Sequence, residues 1–542
     1  MIPFFNITQH LSTMKKQSKT QLFASLRKAF QLALEANRKG VSSEEIVQRA
    51  EAHTMARRKF LETTSKAILV GGAATMLPGT AQARSLFDKR PPRIVIVGGG
   101  IAGLSALHAF KKAGLEATIY EASNRTGGRM FSVQNAMGPG TWTEFGGEFV
   151  DTNHKDMWDL ANEFKLEYID YGQASEEKLT KEAFFFEEKH HTLTEVVEAF
   201  RGFADKIAAD AERLPDDLGF NTKDPYVIGL DRMSMSEYLE KIGAQGWIKR
   251  FIEVSYESEY GLSPEVQSSI NLSIWIGTDT TGGKFELFGE SDERYKIRGG
   301  NQRIPDALAA KYAGNIQLNR ALEAITQTRS GLKLQFSGLR APVKADYVIM
   351  TIPFTKLRQV DVRLPLSEIK KRNIDTLGYG TNAKLMLGMT DHFWRGKGYQ
   401  GLCYSDNGIP NGWDNAQLQN ADQQVAGLSI LFGGPAGVKV GEGSVEAQKD
   451  IYLKKWDQIF PGAIAHYNGK SARMHWPSYQ YNLGSYICYT TGQYTGIAGA
   501  EVLPVGNVYF AGEHCGGDFS GFMNGAALSG REAAEAIVEK VK

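Results

Sequence analysis

Three cysteines in 542 residues, Cys403, Cys488 and Cys515, are too few and too widely spaced for a disulfide scaffold, a zinc knuckle or a redox pair. Proline is scarce as well, 17 residues beside 58 glycines, which excludes a collagen-like chain, and a hydrophobic fraction of 42% excludes a disordered one. No run reaches the roughly 18 apolar residues that a membrane-spanning helix requires. Also missing from the body is a stripe of Lys and Arg interleaved with aromatics, which makes it a poor surface for nucleic acid, whose binding rests on neutralised phosphates. What remains is a globular chain long enough for two or three domains. Its formal charge of +1 hides an asymmetry: residues 1–90 carry 15 Lys and Arg against 6 Asp and Glu, and the remainder carries 47 against 55.

The basic front part holds Ala56-Arg57-Arg58-Lys59-Phe60-Leu61, a weakly apolar run from Ala67 to Leu77, and the small-residue triplet Ala81-Gln82-Ala83. A charged region, a short apolar region and an A-x-A site in that order resemble a twin-arginine export signal. The resemblance implies cleavage after Ala83 and delivery to the periplasm or the exterior, with residues 1–83 as a leader. Upstream, Leu22, Leu26, Phe30, Leu32 and Leu34 approach helical spacing among basic residues, which predicts an amphipathic helix over 18–39 and a second, short helix from Ser42 or Ser43. Whether this upstream part is removed is open.

The body starts with a dinucleotide signature. Arg93-Ile94-Val95-Ile96-Val97 reads as a buried parallel strand that runs into Gly98-Gly99-Gly100-Ile101-Ala102-Gly103, the G-x-G-x-x-G pattern. Gly98 permits the tight turn, Gly100 lets the backbone approach a pyrophosphate, and Gly103 allows the next helix to pack on the strand. The phosphates then sit at that helix's N-terminus. A second strand, Ala117 to Tyr120, ends at Glu121, 23 residues after Gly98, where a carboxylate can accept ribose hydroxyls.

Glu121-Ala122-Ser123-Asn124-Arg125-Thr126-Gly127-Gly128-Arg129 extends this signature, Gly299-Gly300-Asn301 and Leu322 to Ile325 follow, and Val508 to His514 with Gly521 to Ala526 end the chain. Together these segments resemble the flavin-containing amine oxidase family, which includes monoamine, polyamine and L-amino acid oxidases, over residues 92–542. The resemblance implies an α/β fold: a Rossmann-like FAD-binding domain (91–155, 290–345 and 495–542) joined to a mixed-sheet substrate domain with a helical part (156–289 and 346–494). It implies that Gly98, Gly100, Ala102, Gly103, Glu121, Ala122, Gly128, Arg129, Leu322, Trp476, Gly512, Glu513 and Met523 hold FAD. Amides near Met523, at a helix start, would face the flavin edge where negative charge collects on reduction.

The same resemblance assigns chemistry. Gly378 to Leu387 matches the family strand whose lysine holds a water beside the flavin, which makes Lys384 the matching position; a cation there favours electron transfer to oxygen. Gly484-Ser485-Tyr486 and Phe522 match the two aromatic walls of the amine site, so that Tyr486 and Phe522 admit a flat, neutral amine. Some relatives attach FAD through a cysteine at this point. Two registers compete, Ser485 and Cys488, and the nine-residue spacing from Trp476 favours Ser485 and non-covalent FAD.

The substrate is left open between primary amines and L-amino acids. A carboxylate demands a positive partner, and near the cavity segment Glu144 to Val150 the chain carries Glu148 where an amino acid oxidase uses an arginine. Arg294, Arg298 or Arg303 are the candidate substitutes, and Tyr260, with Trp247 and Tyr256, belongs to the helical substrate region. The expected activity is oxidation of a carbon–nitrogen bond with O2 as acceptor, giving imine, then carbonyl product, ammonia and hydrogen peroxide. A flavin desaturase of carotenoid or porphyrinogen type, and a non-catalytic flavin scaffold, are the competing readings. A homodimer is an open expectation.

Overall fold

The computed structural model describes residues 21–52, 90–172, 176, 178–276, 292–419 and 425–542. The twin-arginine motif and the Ala83 cleavage point lie outside the described residues.

Two large sheets organise the described chain. In the first, five parallel strands run in the order Val508–Phe510, Tyr347–Met350, Ile94–Val97, Ala117–Tyr120, Ile316–Gln317. Ile94–Val97 is buried on both faces, as its unbroken apolar sequence requires. Helices Ile101–Lys112 and Met523–Val541 pack over this sheet, with Leu104, Leu107, Phe110, Ala534 and Ile537 in one core. The close approach rests on Gly103: a Cβ there would lie 2.0 Å from the Gly98 carbonyl oxygen. Gly98 adopts φ +107°, open to glycine and strained for other residues.

Strand Tyr347–Met350 corrects the expected boundary at residue 345. It lies inside the parallel sheet, between the first strand and the C-terminal one, because its unbroken apolar run suits a central strand. The second large sheet is mixed and seven-stranded. Its strand Ala383–Met389 is flanked by Tyr467–His475 and Ala426–Phe432 and is buried at every position. Lys384 is the charged residue of that strand.

Helices Leu193–Glu212, Pro225–Arg232, Met235–Ile242 and Gly246–Tyr260 form the helical layer. The sequence predicts an N-terminal amphipathic helix, and Gln21–Lys39 is one. A second helix spans 43–52, and Ser42 Oγ accepts the Glu45 N–H at its start. Both pack into the body: Leu26, Phe30, Ala33, Leu34 and Ile46 are fully buried with Val196, Val197 and Phe200 in one core. Phe30 meets Phe200 edge-on at 6.1 Å, and Asn37 donates to the Arg201 carbonyl at 2.9 Å. The apolar stripe that made the helix legible is the surface buried here. Among the described residues no helix is long and apolar enough to cross a membrane.

Candidate active site

A single cavity connects the first turn of the parallel sheet to the middle of the mixed sheet. At one end it is built from backbone. Gly98, Gly100 and Ala102 line it, and nothing stands within 4 Å of where a Gly100 Cβ would be. Gly100 caps its helix without a side-chain bond, so the first amides of Ile101–Lys112 are left for a ligand. The Gly127–Gly128 turn folds back on this loop, with Gly127 N–H donating to the Gly99 carbonyl. Glu121 ends the second strand and braces the turn through Gly99 N–H at 2.6 Å and Ser123 N–H at 2.8 Å. Ala122, Gly128 and Leu322 complete this wall. Gly103 does not line it; its part is the packing described above.

Further along, Arg129, Glu513 and Ser485 join three distant segments. Arg129 pairs with Glu513 at 2.9 Å and donates to the Ser485 carbonyl, and Ile487 N–H reaches the other Glu513 oxygen at 3.3 Å. Gly512, Trp476 and Met523 line the same stretch. Met523 opens the C-terminal helix behind Phe522, whose cap position makes no side-chain bond, so its first amides are again left without a side-chain acceptor. Backbone amides at two helix starts, an acid at the end of a strand and an arginine–glutamate pair are a donor set that fits an elongated dinucleotide with anionic centre and polar ring.

At the other end, Lys384, Tyr486 and Phe522 line the cavity together with Glu148 and Trp413. Tyr486 donates to the Ser258 carbonyl at 3.3 Å, which fixes its ring. His154 packs against Phe522 at 5.1 Å. The Lys384 ammonium spends its donors on Glu144 O (3.1 Å), Gly146 O (2.8 Å) and Glu148 Oε2 (2.8 Å). Glu148 also receives Trp413 Nε1 at 2.8 Å and the ammonium of Lys296. Burial pushes the Glu148 carboxyl up, but Lys296 and Lys384 outweigh it and hold it below the ordinary range. Burial pulls Lys296 down, and Glu148 with Tyr171 more than restores it, so it stays charged.

Lys296 escaped sequence reasoning: it is an isolated lysine in the short strand Tyr295–Ile297, and only folding brings it to Glu148. Glu148, which stands where an amino acid oxidase uses an arginine, pairs with two lysines, which leaves the trio net positive. Two other expected substrate residues do not line the cavity. Arg298 is exposed and pairs with Glu167 at 3.1 Å, because its strand end faces outward. Tyr260 packs beside Tyr256 inside the helical core. The alternative arginines are engaged elsewhere too: Arg294 with Asp170 at 2.6 Å, Arg303 with the Arg298 carbonyl. Cys488 is buried with Asn271 in the helical core, whereas Ser485 is in the cavity wall.

Residues 101–538 match the model of the flavin-containing amine oxidoreductase family. A flavin-containing amine oxidase of Danio rerio is 24% identical across 82% of this chain and 85% of its own. An L-amino acid dehydrogenase of a Synechocystis species is 24% identical, across 82% and 94%. Among solved structures, cyclohexylamine oxidase of Brevibacterium oxydans superposes with a TM-score of 0.73 at 19% identity, covering 83% of this chain and 100% of that one. A putrescine oxidase bound to putrescine gives 0.70 at 19%, covering 83% and 99%. With the family model spanning most of its length, this chain belongs to the flavin-containing amine oxidoreductases.

Proposed function

We propose that the protein is an FAD-dependent oxidase of primary amines, with FAD held non-covalently and O2 as acceptor. Bound FAD would take a hydride from the carbon bearing the amine and pass the electrons to O2 as hydrogen peroxide, leaving an imine that water hydrolyses to carbonyl and ammonia.

The observation that carries this reading is the set of side chains at the amine end. Tyr486 and Phe522 line it with rings that suit a neutral amine, which receives only weak attraction from them if protonated. Lys384, fixed by three acceptors, sets a positive charge in the same space, where negative charge developing on oxygen gains from it. No arginine of the 294–303 segment lines the cavity to clamp a substrate carboxylate. Ser485 in the wall, with Cys488 turned into the core, supports non-covalent attachment. The names of the relatives, amine, cyclohexylamine and putrescine oxidases, agree with an amine.

Peroxide release from FAD-loaded protein with matched amines and L-amino acids tests the reading. An amine should exceed the corresponding L-amino acid; an acid favoured tenfold, about 1.4 kcal/mol in transition-state binding, would give the site to L-amino acids. Flavin retained by the polypeptide after acid precipitation would refute non-covalent attachment. We further propose export through the twin-arginine route, supported by Arg57-Arg58 and the triplet Ala81-Gln82-Ala83. Replacing both arginines with lysine should hold activity inside the cell.

A further inference from the structure

The lining of the cavity also includes Glu293 and Asp151. Glu293 is only 4% exposed, and its Oε2 has no hydrogen-bond partner among the described residues. Its backbone N–H donates to Asp151 Oδ1 at 2.7 Å, and the Asp151 charge acts on the Glu293 carboxyl. Thr152 bonds to Asp292, and Val150 pairs with Tyr295, so the position is fixed on both sides. Asp151 faces His154 at 3.2 Å, and His154 backs Phe522.

The other charges that Glu293 feels are Asp151, Glu259, Glu148 and Lys181. Three of these four are acids, and Glu148 is already committed to Lys296 and Lys384. Burial therefore pushes the Glu293 carboxyl well above the ordinary range, and Lys181 only moderates this. A buried carboxyl with an idle oxygen is costly, and an apolar side chain would fill the same wall at lower cost. Its natural complement is a cation that arrives with the ligand.

We propose that Glu293, with Asp151 beside it, binds a second cationic group of the substrate, so that the enzyme prefers a diamine to a monoamine of the same length. The proposal rests on the amine-oxidase reading. An ammonium entering here supplies the donors that the Glu293 oxygen lacks, in a place where water competes weakly. The same chemistry is carried by the side chain of a basic L-amino acid, and the experiment separates the two sources.

The FAD-loaded enzyme is assayed with pentylamine, 1,5-diaminopentane, L-norleucine and L-lysine, alongside Glu293→Gln and Glu293→Asp. The diamine should exceed pentylamine at least tenfold in kcat/KM, and Glu293→Gln should cut that ratio at least tenfold. Glu293→Asp, which keeps the carboxyl on a shorter arm, should retain part of the preference and shift it toward longer diamines. A preference for L-lysine over L-norleucine that depends on Glu293, without one among the amines, would support the site and identify its ligand as a basic amino acid. Ratios near one in both the amine pair and the amino-acid pair, or ratios that Glu293→Gln leaves unchanged, overturn the proposal while leaving amine oxidation intact. Should no substrate reduce the flavin, the amine-oxidase reading fails instead, and the site is read by thermal shift. A Tm rise with 1,5-diaminopentane over sodium chloride of equal ionic strength, lost in Glu293→Gln, supports it; no rise overturns it.

Discussion

The two ends of the cavity are built from different materials. The dinucleotide end is mostly main chain: Gly98 to Gly103 and Gly127 to Gly128 supply amides and close contacts, and residues 98–129 contribute most of it. The amine end is side chain, contributed by positions as far apart as Glu148, Glu293, Lys384, Trp413, Tyr486 and Phe522. Backbone recognition demands particular conformations and so tolerates few residue types, whereas side-chain recognition demands placement and leaves the local sequence free. The first end can be damaged at one position without touching charge; the second can be damaged by charge without touching the fold of the first.

The most severe break should come at Gly103. A valine there drives its side chain into the Gly98 carbonyl, 2.0 Å from the Cβ position, and no neighbouring side chain can yield because the obstacle is backbone. Gly103→Val is expected to abolish flavin loading, seen as loss of absorbance near 450 nm relative to 280 nm. Glu148→Gln tests the opposite end. It leaves Lys296 and Lys384 buried without a counter-charge, which should cost about 3–5 kcal/mol in denaturant unfolding, yet any folded protein should still load FAD. A Glu148→Gln protein of normal stability but without flavin would show that the two ends are not separable as described.

Lys384→Met sharpens the comparison within the amine end. Rapid-mixing measurements should find reoxidation by O2 slowed about 100-fold and anaerobic reduction by substrate slowed much less; equal losses would assign the lysine to binding or to folding. The smallest effect concerns Glu144, buried beside the Lys384 network. Burial raises its carboxyl to about 7, against opposing bonds from Ser132 and Asn301. The folded state therefore holds a proton that the unfolded state releases near the ordinary carboxyl value. Stability from this group is full at low pH and is lost as pH rises from there to about 7. Glu144→Gln should flatten that slope, at most about 1.4 kcal/mol per pH unit, and parallel stability–pH curves for the two proteins would contradict it.

This difference in materials also explains what was legible. Gly98, Gly100, Gly103 and Glu121 could be read because glycine spacing and strand–helix order express a backbone demand directly, whereas Gly128 and Arg129 came through resemblance. Lys384, Tyr486 and Phe522 could be read only through resemblance. Lys296 and Glu293 could not: each is an ordinary charged residue in a short polar stretch, and its meaning comes from a partner or a missing partner roughly 150 residues away, Glu148 and Asp151. The strand Tyr347–Met350 was assigned to the wrong side of a boundary because an apolar run of four residues fits either sheet. The helix Gln21–Lys39 was legible as a helix, but its apolar face does not say what covers it.

That N-terminal helix has a consequence for the order of events in the cell. If the chain is cut after Ala83, the segment that leaves by sequence is held by packing: Leu26, Phe30 and Leu34 remain inside the helical layer. Before the cut the helix is tethered, and its effective concentration at its own binding groove is of the order of millimolar. After the cut it becomes a separate subunit whose retention depends on dilution. Processing would then convert a one-chain protein into a two-chain one, and the shorter chain would have to fold into place before the protease acts, since a peptide released earlier would have to find its groove by diffusion.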